Sequence, residues 1–308
     1  MLVSNIRKNP FVLAPTLTAI LLILMGALGF IPLRALGQTA SHLVSGVTVM
    51  IIFLIPSLFY FSLRGNILGR FGFAAVTRDG WQVAFSAAAL LILQNLLYQA
   101  LFFADRYDYR IYTLYGSELS AETGSFGSVL LIFFVFVVIP VLAEGIFFRG
   151  IVLYEYRYTG PVLSILFSSV LCGLTTMSFP LFPIGFLNGL ILALTVFLTG
   201  NIFFSLCSHA LYLMFAVFAE KYFIFVARES ETSVLFFFVF GLLFLLSVVW
   251  FFRCAETILR ERGKAEDDLP RRIPERKKAL VLYDAFSAPM LWGDLFCYLL
   301  FAVLHLFL

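Results

Sequence analysis

Two charged residues stand in one of the most apolar stretches of the chain, Glu144 and Arg149 in VLAEGIFFRG (141–150), and one histidine, His209, stands in another, FFSLCSHALYLMF (203–215). A carboxylate can take a proton from water, and an imidazole can donate to charge that develops on a reacting oxygen, so the pair has the makings of a hydrolytic site. Thr175 and Thr176 can hydrogen-bond water, but a hydroxyl is a poor proton acceptor near neutral pH. His42 and His305 fall at the outer ends of apolar segments, away from the depth of Glu144, and are expected at an interface. The cysteines Cys172, Cys207, Cys254 and Cys297 are scattered, with no CxxC or Cys/His spacing, so neither a disulfide framework nor a zinc site is expected. Two ligands at one level without a third would leave a cation undercoordinated; no metal and no cofactor is called for.

What must position these residues is a bilayer-spanning bundle. The chain is 62% hydrophobic and 13% charged, with a mean hydropathy of +1.00, far outside the range of soluble domains. Apolar segments run over roughly 11–32, 39–63, 81–104, 126–153, 161–178, 183–199, 201–219, 232–252 and 289–308. The expectation is an all-α polytopic membrane protein of about nine helices, or about eight if Asp294 keeps the last from crossing. The first segment follows Arg7 and Lys8 but is longer than a signal peptide's apolar core, and it reads as a retained anchor. Three regions follow: a transmembrane hairpin over 1–80, an intramembrane core over 81–225, and a C-terminal helix, charged linker and last apolar helix over 226–308.

Basic residues fall on alternate loops: Arg7 and Lys8, then Arg64, Arg70 and Arg78, then Arg157, then the run from Arg253 to Lys278. By the positive-inside rule these loops, and the N-terminus, face the cytoplasm of what reads as a bacterial cell membrane. The net-acidic ADRYDYRIYTLYGSELSAE and the loop holding Glu220, Lys221, Arg228, Glu229 and Glu231 face out. The linker RCAETILRERGKAEDDLPRRIPERKKAL mixes nine basic with six acidic residues and reads as a solvated linker with a frayed helix. The partners expected are membrane lipids and a membrane-embedded protein or peptide; nothing points to nucleic acid.

A charged side chain at a helix centre costs at least about 2.5–3.5 kcal/mol on insertion scales, so Glu144 and Arg149 must face the bundle interior or a wet cavity. On an α-helix, positions five apart lie about 140° apart, so a direct pair between them is poor. Arg149 is expected to snorkel toward the cytoplasmic end or to pair with Glu155. Glu144 lies roughly 13 Å from the end of its helix near residue 153, and His209 roughly 12 Å from the start of its own near residue 201. The two are level.

PVLAEGIFFRG resembles the first motif of the CAAX protease and bacteriocin-processing family, intramembrane proteins whose motif has two adjacent glutamates, three variable residues, then arginine and usually glycine. Glu144, Arg149 and Gly150 match, and Gly145 stands at the second glutamate. The family's second motif, a histidine four residues after a phenylalanine, aligns with SSVLCGLTT, where Cys172 and Thr176 stand instead. The third, histidine with asparagine four positions on, aligns with TGNIFFSLCSHALYLMF; His209 is kept and Leu213 replaces the asparagine. The resemblance covers about 126–219 and implies that Glu144, with the residue at 176, would activate water, while His209 and the residue at 213 would stabilise the oxyanion. Because Thr176 and Leu213 cannot do that work, the expectation is weakened or lost peptidase activity and a role in binding a membrane partner or peptide. Two alternatives stand beside it: an active endopeptidase using Glu144 and His209, and a transporter-like protein with Glu144 as proton relay. Glu144 and His209 could also be structural, hydrogen-bonded between helices.

Overall fold

Proline and capping residues divide the apolar run from residue 126 to 218 into its helices. Pro161 opens α5 (Pro161–Leu174) straight after Gly160, whose φ of 92° ends the preceding turn, and Pro183 lies at the start of α6 (Phe182–Thr199). Gly200, at φ 67°, closes α6 by donating to the Val196 carbonyl. Asn201 then caps α7 (Ile202–Phe218), its side chain accepting from the Phe203 backbone N–H at 2.9 Å.

Upstream lie α1 (Pro10–Gly29), α2 (Gln38–Arg64), α3 (Arg78–Phe103) and α4 (Phe126–Tyr156); downstream lie α8 (Glu220–Arg228), α9 (Ser230–Ala265) and α10 (Pro289–Phe307). The structure is a computed structural model and describes residues 10–29, 38–64, 76–103, 126–265, 283–284 and 286–307. Arg7, Lys8, Arg70, the acidic loop after α3 and most of the charged linker lie outside the described residues, as does the side chain of His305.

Every apolar segment expected from the sequence carries a helix, and the chain is an all-helical integral membrane protein. Six helices are long and apolar enough to cross a bilayer, and a seventh span forms if α7 and α8, bent by 56°, count as one; α5 and most of α10 are shorter apolar helices. At about 1.5 Å per residue α5 is roughly 21 Å long, less than the hydrocarbon thickness. The turn after it, TTMSFPL, therefore begins short of a full crossing. There Met177 takes a φ of 47° and the Tyr98 hydroxyl of α3 donates to the Pro180 carbonyl. Helix α9 continues past its apolar part through Ala265, so the start of the charged linker is ordered helix; an Arg260–Glu256 pair at 2.7 Å, one turn apart, supports it.

Among the described residues the helices pack around four apolar clusters, two of them the larger. One gathers α1, α2, α4, α5 and α10 around Leu17, Phe53, Phe147, Phe148, Tyr156 and Tyr298. The other gathers α3, α6 and α9 around Val83, Leu91, Leu192 and Phe251. Helix α7 touches both α3 and α4 and closes the seam between them.

Helix α4 is not regular. Pro140 has no N–H to give and its ring crowds the carbonyl one turn back, and the helix widens to π geometry at Phe134–Val138 just before it. A second π segment runs over Gly145–Val152. This overturns the geometry expected for Glu144 and Arg149. With hydrogen bonds reaching five residues back, positions five apart lie nearly one above the other.

Candidate functional site

Glu144 closes the regular turn between the two π segments, and its carboxylate faces α7. Glu144 Oε2 lies 3.8 Å from His209 Nε2, with the two side chains 13% and 8% exposed. The separation exceeds a hydrogen bond by a few tenths of an ångström. His209 Nδ1, on the other side of the ring, is buried and has no hydrogen-bond partner among the described residues.

Serines fix the rotation of α7. Ser208 Oγ lies 2.9 Å from the Ala84 carbonyl of α3 and 2.8 Å from the Phe204 carbonyl of its own helix; Ser205 donates to the Leu192 carbonyl of α6 at 3.0 Å. With those contacts made, His209 turns toward α4. Across the seam the approach is close because residue 145 is glycine: a Cβ there would overlap Leu206 Cδ2. Leu206 thus fills the place where the resembled family carries its second glutamate.

Arg149 corrects the expectation made for it. It neither snorkels nor pairs with Glu155; it is buried at 5% exposure, and its Nη1 donates to the Glu144 backbone carbonyl at 3.4 Å. Glu155 is held instead by α2, accepting from the Tyr60 hydroxyl at 2.5 Å and pairing with Arg64 at 2.7 Å. The Phe148 carbonyl, also inside the π segment, accepts from Ser168 of α5 at 3.2 Å.

Cys172 is buried on α5, where it packs against Gly189 of α6. Thr176, one turn on, donates its hydroxyl to the Gly173 carbonyl at 2.8 Å, with the Ser178 carbonyl at 3.4 Å, and Thr175 donates to the Cys172 carbonyl. The single proton of Thr176 is engaged with the backbone at the end of α5. Leu213 packs into the apolar cluster of Ile132, Val135, Val141 and Val217. His42, expected at an interface, is 4% exposed with its ring edge-on to Phe136 of the first π segment. No group of three or more His, Cys, Asp or Glu side chains gathers closely enough to hold a metal ion among the described residues.

The sequence reading missed a polar cluster beside the histidine. The Tyr212 ring lies nearly parallel to His209, centroids 6.2 Å apart, and its hydroxyl donates to Asn95 Oδ1 at 3.1 Å. Asn95 Nδ2 donates to Asn188 Oδ1 at 2.8 Å and Asn188 Nδ2 returns to Asn95 Oδ1 at 3.2 Å, while Gln94 Nε2 donates to the same Asn188 oxygen at 2.6 Å. Carboxamides from α3 and α6 and a phenol from α7 thus form one network next to the Glu144–His209 pair. The signal was present as polar residues inside spans, in LILQNLL and FLNGL, since buried amides in lipid must find partners.

Residues 126–215, which hold Glu144, Arg149, Cys172, Thr176, His209 and Leu213, match the family described as type II CAAX prenyl endopeptidase Rce1-like. Neither a curated protein nor a solved structure gives a significant match.

Proposed function

We propose that the chain is an intramembrane protein of CAAX-endopeptidase type that keeps the Glu144–His209 pair, lacks the rest of the hydrolytic set, and binds a membrane-embedded peptide with little or no turnover. The observation that carries this reading is the 3.8 Å approach of Glu144 to His209 within the family-matched segment. Beside that pair, Thr176 has its hydroxyl on backbone carbonyls, Leu213 is packed in an apolar cluster, and Leu206 occupies the space at Gly145.

In a complete site of this kind a carboxylate takes a proton from water as the oxygen attacks the scissile carbonyl, and donors meet the negative charge on the carbonyl oxygen. Here Glu144 supplies the base and His209 one donor. The missing histidine and asparagine are each worth about 10²–10³-fold or more in rate, which motivates placing the chain on the binding side of that division. The alternation of basic loops further motivates a cytoplasmic N-terminus in a bacterial cell membrane.

The test is hydrolysis of an internally quenched, S-farnesylated CAAX-type peptide by purified protein in detergent. Wild type is expected to bind the peptide and to cleave it no faster than background. Thr176→His combined with Leu213→Asn is expected to raise cleavage, and adding Glu144→Gln to abolish the gain. Rapid cleavage by wild type that disappears with Glu144→Gln alone would establish the active-endopeptidase reading instead; absence of peptide binding would refute the proposal altogether.

A further inference from the structure

Asp294 of α10 has no group beside it to answer a charge. Its side chain is fully buried, and both carboxyl oxygens lack a hydrogen-bond partner. Helix α10 packs mainly on α1 and also touches α5. Helix α1 has no titratable or charged side chain over Pro10–Gly29, and α5 has Cys172 alone. From the end of α4, Tyr156 belongs to the apolar cluster that α1 and α10 share, while Glu155 is taken by Tyr60 and Arg64. On α10 itself the other titratable groups among the described side chains are Cys297 and Tyr298. None of these is a cation. An ionised carboxylate here would lose its hydration with nothing in exchange, so the carboxyl is lodged as the neutral acid.

The face of α10 that buries Asp294 continues through Tyr298 and Ala302, four and eight residues on, both buried. The Tyr298 ring packs on Phe179 and Phe182, with centroids 5.6 and 5.8 Å away, and Phe301 occupies the space that a side chain at Gly26 of α1 would need. Phe179 lies in the turn after α5, and Phe182 opens α6 against Gly173 near the end of α5. Helix α10 therefore covers the turn in which the Thr176 hydroxyl meets the Gly173 and Ser178 carbonyls. Asp294 lies five residues from the start of α10 at Pro289, roughly 8 Å along the helix. A slide of about one and a half turns toward the charged linker would return the carboxyl to water.

We propose that Asp294 is a proton-binding latch: α10 covers the turn between α5 and α6 while the Asp294 carboxyl holds its proton, and lets go when the carboxyl ionises. Released α10, with Asp294 in water, gives up the proton in the ordinary carboxyl range near pH 4. Docked α10 keeps it longer, since fully buried carboxyls stay protonated to about pH 8–9. Docking is fully favoured below the lower limit, and between the two the ratio of docked to released helix falls about tenfold per pH unit. The cover is closed in acid and loosened in alkali. This rests on the packing of α1, α5 and α10 and is independent of the peptide-binding reading.

The experiment measures distances by double electron–electron resonance between nitroxides on Leu300→Cys of α10 and Leu245→Cys of α9, both exposed positions. Full-length protein with its native cysteines replaced by serine is held in phosphatidylcholine nanodiscs at pH 5 and pH 8.5. With Asp294 in place, one narrow distance is expected at pH 5. At pH 8.5 a second, shifted and broader component should appear, with the docked-to-released ratio at least about tenfold lower. Asp294→Asn, of the same shape and neutral throughout, should keep the narrow distance at both pH values. Should Asp294→Asn fail to fold in a thermal-unfolding control, Asp294→Leu takes its place. Identical distributions at the two pH values with Asp294 present overturn the latch. So does an equal pH-driven change in the neutral variant, which would put the titrating group elsewhere.

Discussion

Replacing Asn95 with leucine removes a polar group of similar size from the centre of the bundle. Asn95 makes three interhelical hydrogen bonds, two exchanged with Asn188 of α6 and one accepted from Tyr212 of α7, besides a bond from Nδ2 to the Leu91 carbonyl of its own helix. Interhelical side-chain hydrogen bonds in membranes average about 0.6 kcal/mol, so the loss should be about 2 kcal/mol. Gln94→Leu removes one such bond, to Asn188, and should cost about 0.6 kcal/mol. The mutual pair predicts a coupling of about 1 kcal/mol between Asn95→Leu and Asn188→Leu in a double-mutant cycle. Equilibrium unfolding in mixed micelles, followed by the fluorescence of Trp81, Trp250 and Trp292, measures all four. The same substitution removes the Tyr212–Asn95 bond beside His209, so peptide affinity should fall with Asn95→Leu and change little with Gln94→Leu. Asn95→Leu no more damaging than Gln94→Leu, or a coupling of zero, would refute the view that this network holds α3, α6 and α7 in register.

The contact between α4 and α7 gives a second expectation: Gly145→Glu alone should destabilise by about 1–3 kcal/mol through overlap with Leu206, and Leu206→Ala introduced with it should recover much of the loss, both read by the same unfolding titration. Topology gives a third. With a cysteine at position 265 in a background of otherwise serine-replaced cysteines, an impermeant maleimide should modify the protein only after the cells are opened; ready labelling of intact cells would reverse the orientation.

Much of the architecture was legible because its causes are local. Length and uninterrupted apolarity mark a span whatever surrounds it, and each apolar segment read from the sequence carries a helix. The candidate pair was legible for the same reason: Glu144 and His209 are conspicuous in lipid because burying them is costly, and counting residues from their helix ends put them level, as their 3.8 Å approach requires.

What the sequence left open is how each helix is rotated about its own axis. In water an amphipathic stripe announces the buried face, but a span in lipid is apolar on every side, and hydrocarbon outside is no less welcoming than the core inside. Rotation is then set by hydrogen bonds and packing between helices distant in sequence. Examples are Ser208 to Ala84, Asn95 to Asn188, and Glu155 to Tyr60 and Arg64. The π widening of α4 belongs with them, for an α-helical count of five residues put Arg149 far around the helix from Glu144, and the observed turn sets its guanidinium on the Glu144 carbonyl. Composition therefore determined the solvent and where helices form, and spacing put Glu144 and His209 level; the number of crossings, six or seven where about nine or eight were expected, was left to the tertiary structure. Only the tertiary packing decided that Leu206 fills the space at Gly145, that Thr176 turns its hydroxyl to the backbone, and that Arg149 reaches the Glu144 carbonyl while Glu155 goes to Tyr60 and Arg64, because each depends on which face of one helix meets which face of another.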